Sequence, residues 1–158
     1  MTTDILKQTS EKLQQTIITA KANLARFSED EWAAKPVSGG WSRKEILGHL
    51  IDSAANNHIR FVRAQLADDT FTGLGYEQDH FVASQKYNDT PAKELIELWF
   101  AYNRHLAHVI ANIDPAKLQV SCHIGSYDPV QFSFVITDYV DHMAHHLEEI
   151  MKDNSSFA

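Results

Sequence analysis

The stretch Tyr139-Val140-Asp141-His142-Met143-Ala144-His145-His146-Leu147-Glu148-Glu149-Ile150 reads as one amphipathic helix. Ile136, Val140, Met143, Leu147 and Ile150 recur at three- and four-residue spacing, which gives the helix a single core-facing stripe. At roughly 100° per residue, His142 and His146 stack on one flank of that stripe and His145 turns to water. Two imidazoles at i and i+4 beside a buried face can reach one metal ion, and such a pair needs a third ligand from another helix. The sequence offers His49, in Glu45-Ile46-Leu47-Gly48-His49-Leu50-Ile51-Asp52-Ser53.

That second stretch lies in a longer helix. Ser42 followed by Glu45 is a capping box, and Ile46, Leu50, Ala54, Phe61 and Ala64 carry an apolar stripe to about Leu66. His49, Ser53, Asn56, Asn57 and Arg60 form a polar lane beside this stripe, on the same relative flank that holds His142 and His146; His58 lies on the other side. Upstream, residues 4 to 27 read as a first helix, with Leu6, Leu13, Ile17, Ala20, Leu24 and Phe27 at near-heptad spacing. It carries no histidine and is assigned to packing. Ser28 with Glu31 signals a short capped turn that ends before Pro36. Downstream, Thr90 as a cap and Pro91 at the first helical position start a third long helix to about Asn112. Its apolar positions are Leu95, Leu98, Trp99, Tyr102, Leu106 and Val109, with His105 at the edge of the stripe and His108 well outside it. Residues 67 to 90 make a long connection in which Tyr76 to Gln85 suit a short helix, and residues 119 to 134 suit an irregular loop or small hairpin. Four long helical patterns, with no strand long enough to build a sheet, predict an all-α four-helix bundle with a long connection between its second and third long helices. Residues 1–158 read as a single domain.

Composition narrows the function classes. A net charge of -7 and a pI near 5.6 argue against nucleic acid or an anionic membrane as the main partner, because both want a basic footprint. One cysteine, Cys122, excludes an internal disulfide framework and suits a reducing compartment. No basic-plus-apolar targeting segment is visible and no apolar run nears the ~20 residues that span a bilayer, so a cytoplasmic location is expected. Nine histidines are a reason to look for metal. Small bundles with aromatic-rich helices often pair, which gives a homodimer a mild preference.

The chain resembles the DinB/YfiT-like superfamily of metal-binding four-helix bundles. The resemblance is carried by Gly40-Trp41-Ser42 running into Glu45 to Ser53, by Ile59-Arg60-Phe61, by the Tyr76 to Tyr87 connection, by Trp99 to His105, and by Tyr139-Val140-Asp141-His142 leading to His145-His146-Leu147. It looks closest to the YfiT branch of metal-dependent hydrolases or bacillithiol S-transferases. In that family one histidine of the second helix and two of the last bind a divalent ion; residue by residue these are His49, His142 and His146, the three that helical geometry selects. The bacillithiol branch implies that thiol as a second cofactor.

Three imidazoles leave coordination positions open for water or substrate, the catalytic pattern rather than the closed structural one. The ion would bring bound water near neutrality or hold a thiolate as nucleophile. Zinc or nickel is expected, although imidazole also suits copper and iron. Arg60 and Asn57 are the candidate substrate-binding residues: Arg60 can clamp a carboxylate, or equally pair with an acidic neighbour, and Asn57 is an amide close to the apolar stripe that needs a partner. No catalytic residue is assigned. Asp52 and Glu149 are possible partners for ligand imidazoles, and His80 or Glu149 would be the first candidates for a fourth ligand closing the site. The expected activity is transfer of a low-molecular-weight thiol to a small electrophile, with a metal-dependent amide or ester hydrolase, or a non-catalytic metal-binding stress-associated bundle, as alternatives.

Overall fold

The computed structural model describes residues 2–153. The polar tail read from Asn154 to Ala158 lies outside them. Four long helices form the bundle: α1 (Thr2–Leu24), α3 (Arg43–Ala64), α5 (Ala92–Ala111) and α6 (Phe132–Ile150). Two shorter helices, α2 (Glu29–Ala33) and α4 (Gln78–Gln85), sit in the connections. Helix α1 packs on α5 and α6, and α3 packs on the same two, so the successive long helices α1 and α3 face each other across the bundle's diagonal. This arrangement sets α3 beside α6, the two helices that carry the metal-ligand candidates.

Local chemistry explains where the helices start. Ser28 and Ser42 each accept a hydrogen bond from the backbone N–H of the glutamate three residues on, and Glu31 and Glu45 reach back to the caps. The start of α5 differs from expectation. Pro91 occupies the cap position and Thr90 makes no side-chain cap; the backbone N–H of Ala92 instead donates to Glu29 Oε1 at 2.8 Å. A distant carboxylate thereby replaces the local cap and ties α2 to α5. Helix α1 ends at Leu24, short of the expected Phe27, whose ring leaves the helix to meet Trp32 edge-on at 5.7 Å.

A small sheet joins the bundle. Strand β1 (Thr70–Gly73) pairs in parallel with β2 (Ser121–Ile124), and β2 pairs antiparallel with β3 (Val130–Gln131). The β2–β3 hairpin falls within residues 119 to 134, where the sequence allowed one, whereas β1 and its parallel pairing are what periodicity misses. Strands of two to four residues carry too little alternation to be recognised, and the β1–β2 pairing spans some fifty positions of chain. Its contribution is positional: the Phe132 N–H donates to the Val120 carbonyl at 2.9 Å, which fixes the start of α6. At the other end of α6 the fully buried Arg43 guanidinium donates to the carbonyls of Ile150 and Lys152, both at 2.8 Å, and to that of Glu31 at 3.1 Å. The last carbonyls of a helix have no partner within it, so Arg43 serves as a C-terminal cap delivered from α3.

The core is apolar and continuous, with Trp32, Phe61, Trp99 and Phe132 among its fully buried side chains. Leu98, expected on the core stripe of α5, is half exposed. The core also takes in polar groups, among them Asn103, which is fully buried, donates to the Trp99 carbonyl at 2.9 Å, and accepts from the Tyr139 hydroxyl. Among the described residues no helix is long and apolar enough to cross a membrane.

Candidate metal centre

The side chains of His49, His142 and His146 converge between α3 and α6. One ligand nitrogen from each lies within 4.8 Å of the others, the only such group of three His, Cys, Asp or Glu side chains among the described residues. The Nε2 atoms of His142 and His146 are 3.0 Å apart, and the His49 ring stands edge-on to both, with centroids at 5.5 and 4.8 Å. Two imidazole nitrogens bound to one zinc-like ion at about 2.0–2.1 Å lie about 3.3 Å apart at the tetrahedral angle, so this spacing is close to what a shared ion needs.

The polar bookkeeping of His49 supports the fit. His49 is fully buried, and neither of its ring nitrogens has a hydrogen-bond partner. An imidazole must carry at least one N–H, and leaving a buried polar group unpaired costs about 1–3 kcal/mol. An ion among the three rings removes part of that cost. Burial above all, then the neighbouring His146 and His142, pushes the His49 pKa down to about 4. Burial and then His146 also lower His142. Neutral imidazole is the ligand form, so these two are ready to coordinate at neutral pH without losing a proton.

Neighbouring side chains orient the rings. His146 Nδ1 is 3.3 Å from Glu149 Oε2; with the proton on Nδ1, that contact turns Nε2 towards the shared centre. His145 is exposed, and its Nε2 lies 3.4 Å from the other Glu149 oxygen, away from the cluster. Trp41 lies against His49 at 5.0 Å between ring centroids, tilted by 36°, and forms an apolar wall. Gly48, the residue before His49, serves a neighbouring contact: a Cβ at that position would stand 2.1 Å from the Tyr87 ring, so only glycine lets Tyr87 lie on α3. The Tyr87 hydroxyl then donates to Asp52 Oδ1 at 2.6 Å, joined there by the Gln85 amide at 2.7 Å, while Asp52 Oδ2 is buried without a partner. Burial outweighs these hydrogen bonds and raises the Asp52 pKa. Asp52 therefore belongs to a Tyr87–Gln85 network and makes no hydrogen bond to a ligand imidazole.

The substrate-binding candidates sit further along α3. Asn57 donates to the Ser53 carbonyl at 2.9 Å, and Arg60 reaches Asn57 Oδ1 at 3.5 Å and the Leu74 carbonyl at 3.0 Å. Arg60 makes no ion pair with a carboxylate among the described residues; Tyr76 and Tyr127 are its electrostatic neighbours. Eleven residues at 1.5 Å rise place Arg60 about 16 Å from His49 along the helix. His80 is exposed on α4 and does not join the three histidines. Cys122 is buried in β2, with its thiol pushed up to about 11 by burial, which describes an inert side chain. Trp41 is the residue that sequence reasoning left out of the site. The glycine at position 48 of α3 was the available sign of the separate Tyr87 contact.

Fold and site together define a helical bundle with a three-imidazole centre between two of its helices. The sequence profile of the DinB superfamily matches residues 12–150, most of the chain, and the protein belongs to that superfamily. Its fold is similar to that of YfiT from Bacillus subtilis, described as a probable metal-dependent hydrolase with an unusual four-helix bundle topology. The TM-score is 0.68 at 16% identity, over 94% of this chain and 81% of the other. At that identity the likeness is one of fold. No curated protein matches the chain.

Proposed function

We propose that the protein is a metal-dependent enzyme in which His49, His142 and His146 hold one divalent ion, zinc or nickel, and that it transfers a low-molecular-weight thiol to an electrophilic small molecule. The observation that carries this reading is the convergence of three imidazoles around a fully buried His49 whose nitrogens have no other partner. When bound, the ion supplies a Lewis acid with positions left open by its three protein ligands.

The remaining work falls to side chains. Glu149 aims His146, and Trp41 walls the site on the α3 side. Arg60 offers its guanidinium to a carboxylate about 16 Å along α3, a span that suits an extended thiol with an acidic far end, of which bacillithiol is one. Thiol transfer asks for no carboxylate base at the centre, and Glu149 is already engaged by His145 and His146.

A metal-dependent hydrolase is the second reading, favoured by Asp52. This carboxyl lies one turn from His49, is raised by burial, and keeps one oxygen unpaired, as a group able to take a proton from water would. It also agrees with the description of YfiT. Titrating bacillithiol and glutathione into cobalt- or nickel-substituted protein separates the two. The transferase reading expects a sulfur-to-metal absorption band that saturates with one of the thiols. A spectrum unchanged by either thiol, with hydrolysis of a test amide or ester that disappears in Asp52→Asn, would replace it by the hydrolase reading.

A further inference from the structure

A second group of histidines lies on the opposite flank of α3, outside the centre described above. His58 is nine residues beyond His49, about 14 Å along the helix by its rise. Its ring centroid lies 5.4 Å from that of His105 on α5, at 82° between ring planes. His105 in turn lies 6.4 Å from His108, one turn further along α5. His58 Nδ1 is 2.9 Å from the Tyr102 hydroxyl, whose ring meets it edge-on.

We propose that His58 and His105 form a second metal site that takes a borderline divalent ion such as copper, zinc or nickel; His108 does not converge with them as it stands and joins as a third imidazole only by turning its exposed ring. Two imidazoles that share an ion at about 2.0–2.1 Å and the tetrahedral angle have ring centroids about 5.2 Å apart, against 5.4 Å here. The Tyr102 contact supplies what ligand histidines usually have, a hydrogen bond to the other ring nitrogen. With Nδ1–H donating to the phenol oxygen, Nε2 of His58 keeps its lone pair for the ion. His105 and His108 are exposed and three residues apart on one helix face, so both can turn towards an ion at little cost, with the remaining positions open to solvent. An all-imidazole donor set selects this class of ion over magnesium or calcium, which want oxygen. The site stands independently of the proposed function, since it shares no residue with the centre between α3 and α6.

Equilibrium dialysis of the full chain against copper and zinc, with copper-induced broadening of imidazole NMR signals, tests it. The expected result is a second, weaker ion per chain that broadens the His58 and His105 signals. It should be lost in His58→Ala, in the milder His58→Gln and in His105→Ala, yet kept in His142→Ala,His146→Ala. Tyr102→Phe should weaken it about tenfold, and millimolar magnesium should not displace it. Unchanged stoichiometry and affinity in the His58 and His105 variants would overturn the proposal. So would absence of the second ion from the wild type, or its displacement by magnesium.

Discussion

His49 concentrates the chemistry of the protein in one side chain. It is fully buried, unpartnered, and held neutral down to about pH 4. In the metal-free protein this links folding to pH. Between pH 6.5 and about 4 the unfolded chain binds a proton that the folded chain refuses, so stability falls as pH falls through that window and stops changing on this account below it. The loss should be on the order of 3 kcal/mol in urea unfolding. His49→Phe should flatten that part of the profile, and an unchanged slope would show that His49 does not set it. Proton competition at His49 should weaken metal binding only as the pH nears and passes about 4, where the folded imidazole itself takes a proton. At this scale the sequence was informative. Spacing singles out His49, His142 and His146, whose nitrogens converge in the structure, and turns His145 away. Trp41 was not legible as part of the site, since it meets His49 only through the path of a loop.

Among the elements, α3 is the spine: it carries His49, receives Tyr87 on Gly48, and caps α6 through Arg43. Gly48→Ala should drive a Cβ into the Tyr87 ring and cost about 1–3 kcal/mol or more, with loss of the Tyr87–Asp52 hydrogen bond. Denaturant unfolding of this variant within about 0.5 kcal/mol of wild type would refute the packing argument. Arg43→Met should leave the carbonyls of Ile150 and Lys152 unpaired, at about 1.5–3 kcal/mol for each charged hydrogen bond lost. Hydrogen exchange should show the last turn of α6 opening first. The capping boxes at Ser28 and Ser42 could be read directly, because both partners lie within four residues. The cap of α5 could not, because Glu29 comes from sixty-three residues away. The same limit hides β1 and β2, whose pairing is a property of the folded chain rather than of either short segment.

The whole molecule is arranged so that α3 and α6 lie side by side while α1 and α3 stand across the diagonal. Amphipathic stripes show that four helices share a core, but they do not say which helices are neighbours; the superfamily resemblance implied that, and the structure displays it. An ion held between α3 and α6 would tie residues some ninety positions apart and should therefore stabilise the fold. At a free-ion concentration of 100 times Kd the gain is about 2.7 kcal/mol, seen as a rise in Tm that chelator reverses. The measurement closest to the central claim is elemental analysis of the purified wild type beside the His142→Ala,His146→Ala and His145→Ala variants. About one divalent ion per chain in wild type and His145→Ala, with almost none in the double variant, is the predicted result. Stoichiometric metal surviving in the double variant would contradict the three-histidine centre, and with it the proposed enzyme.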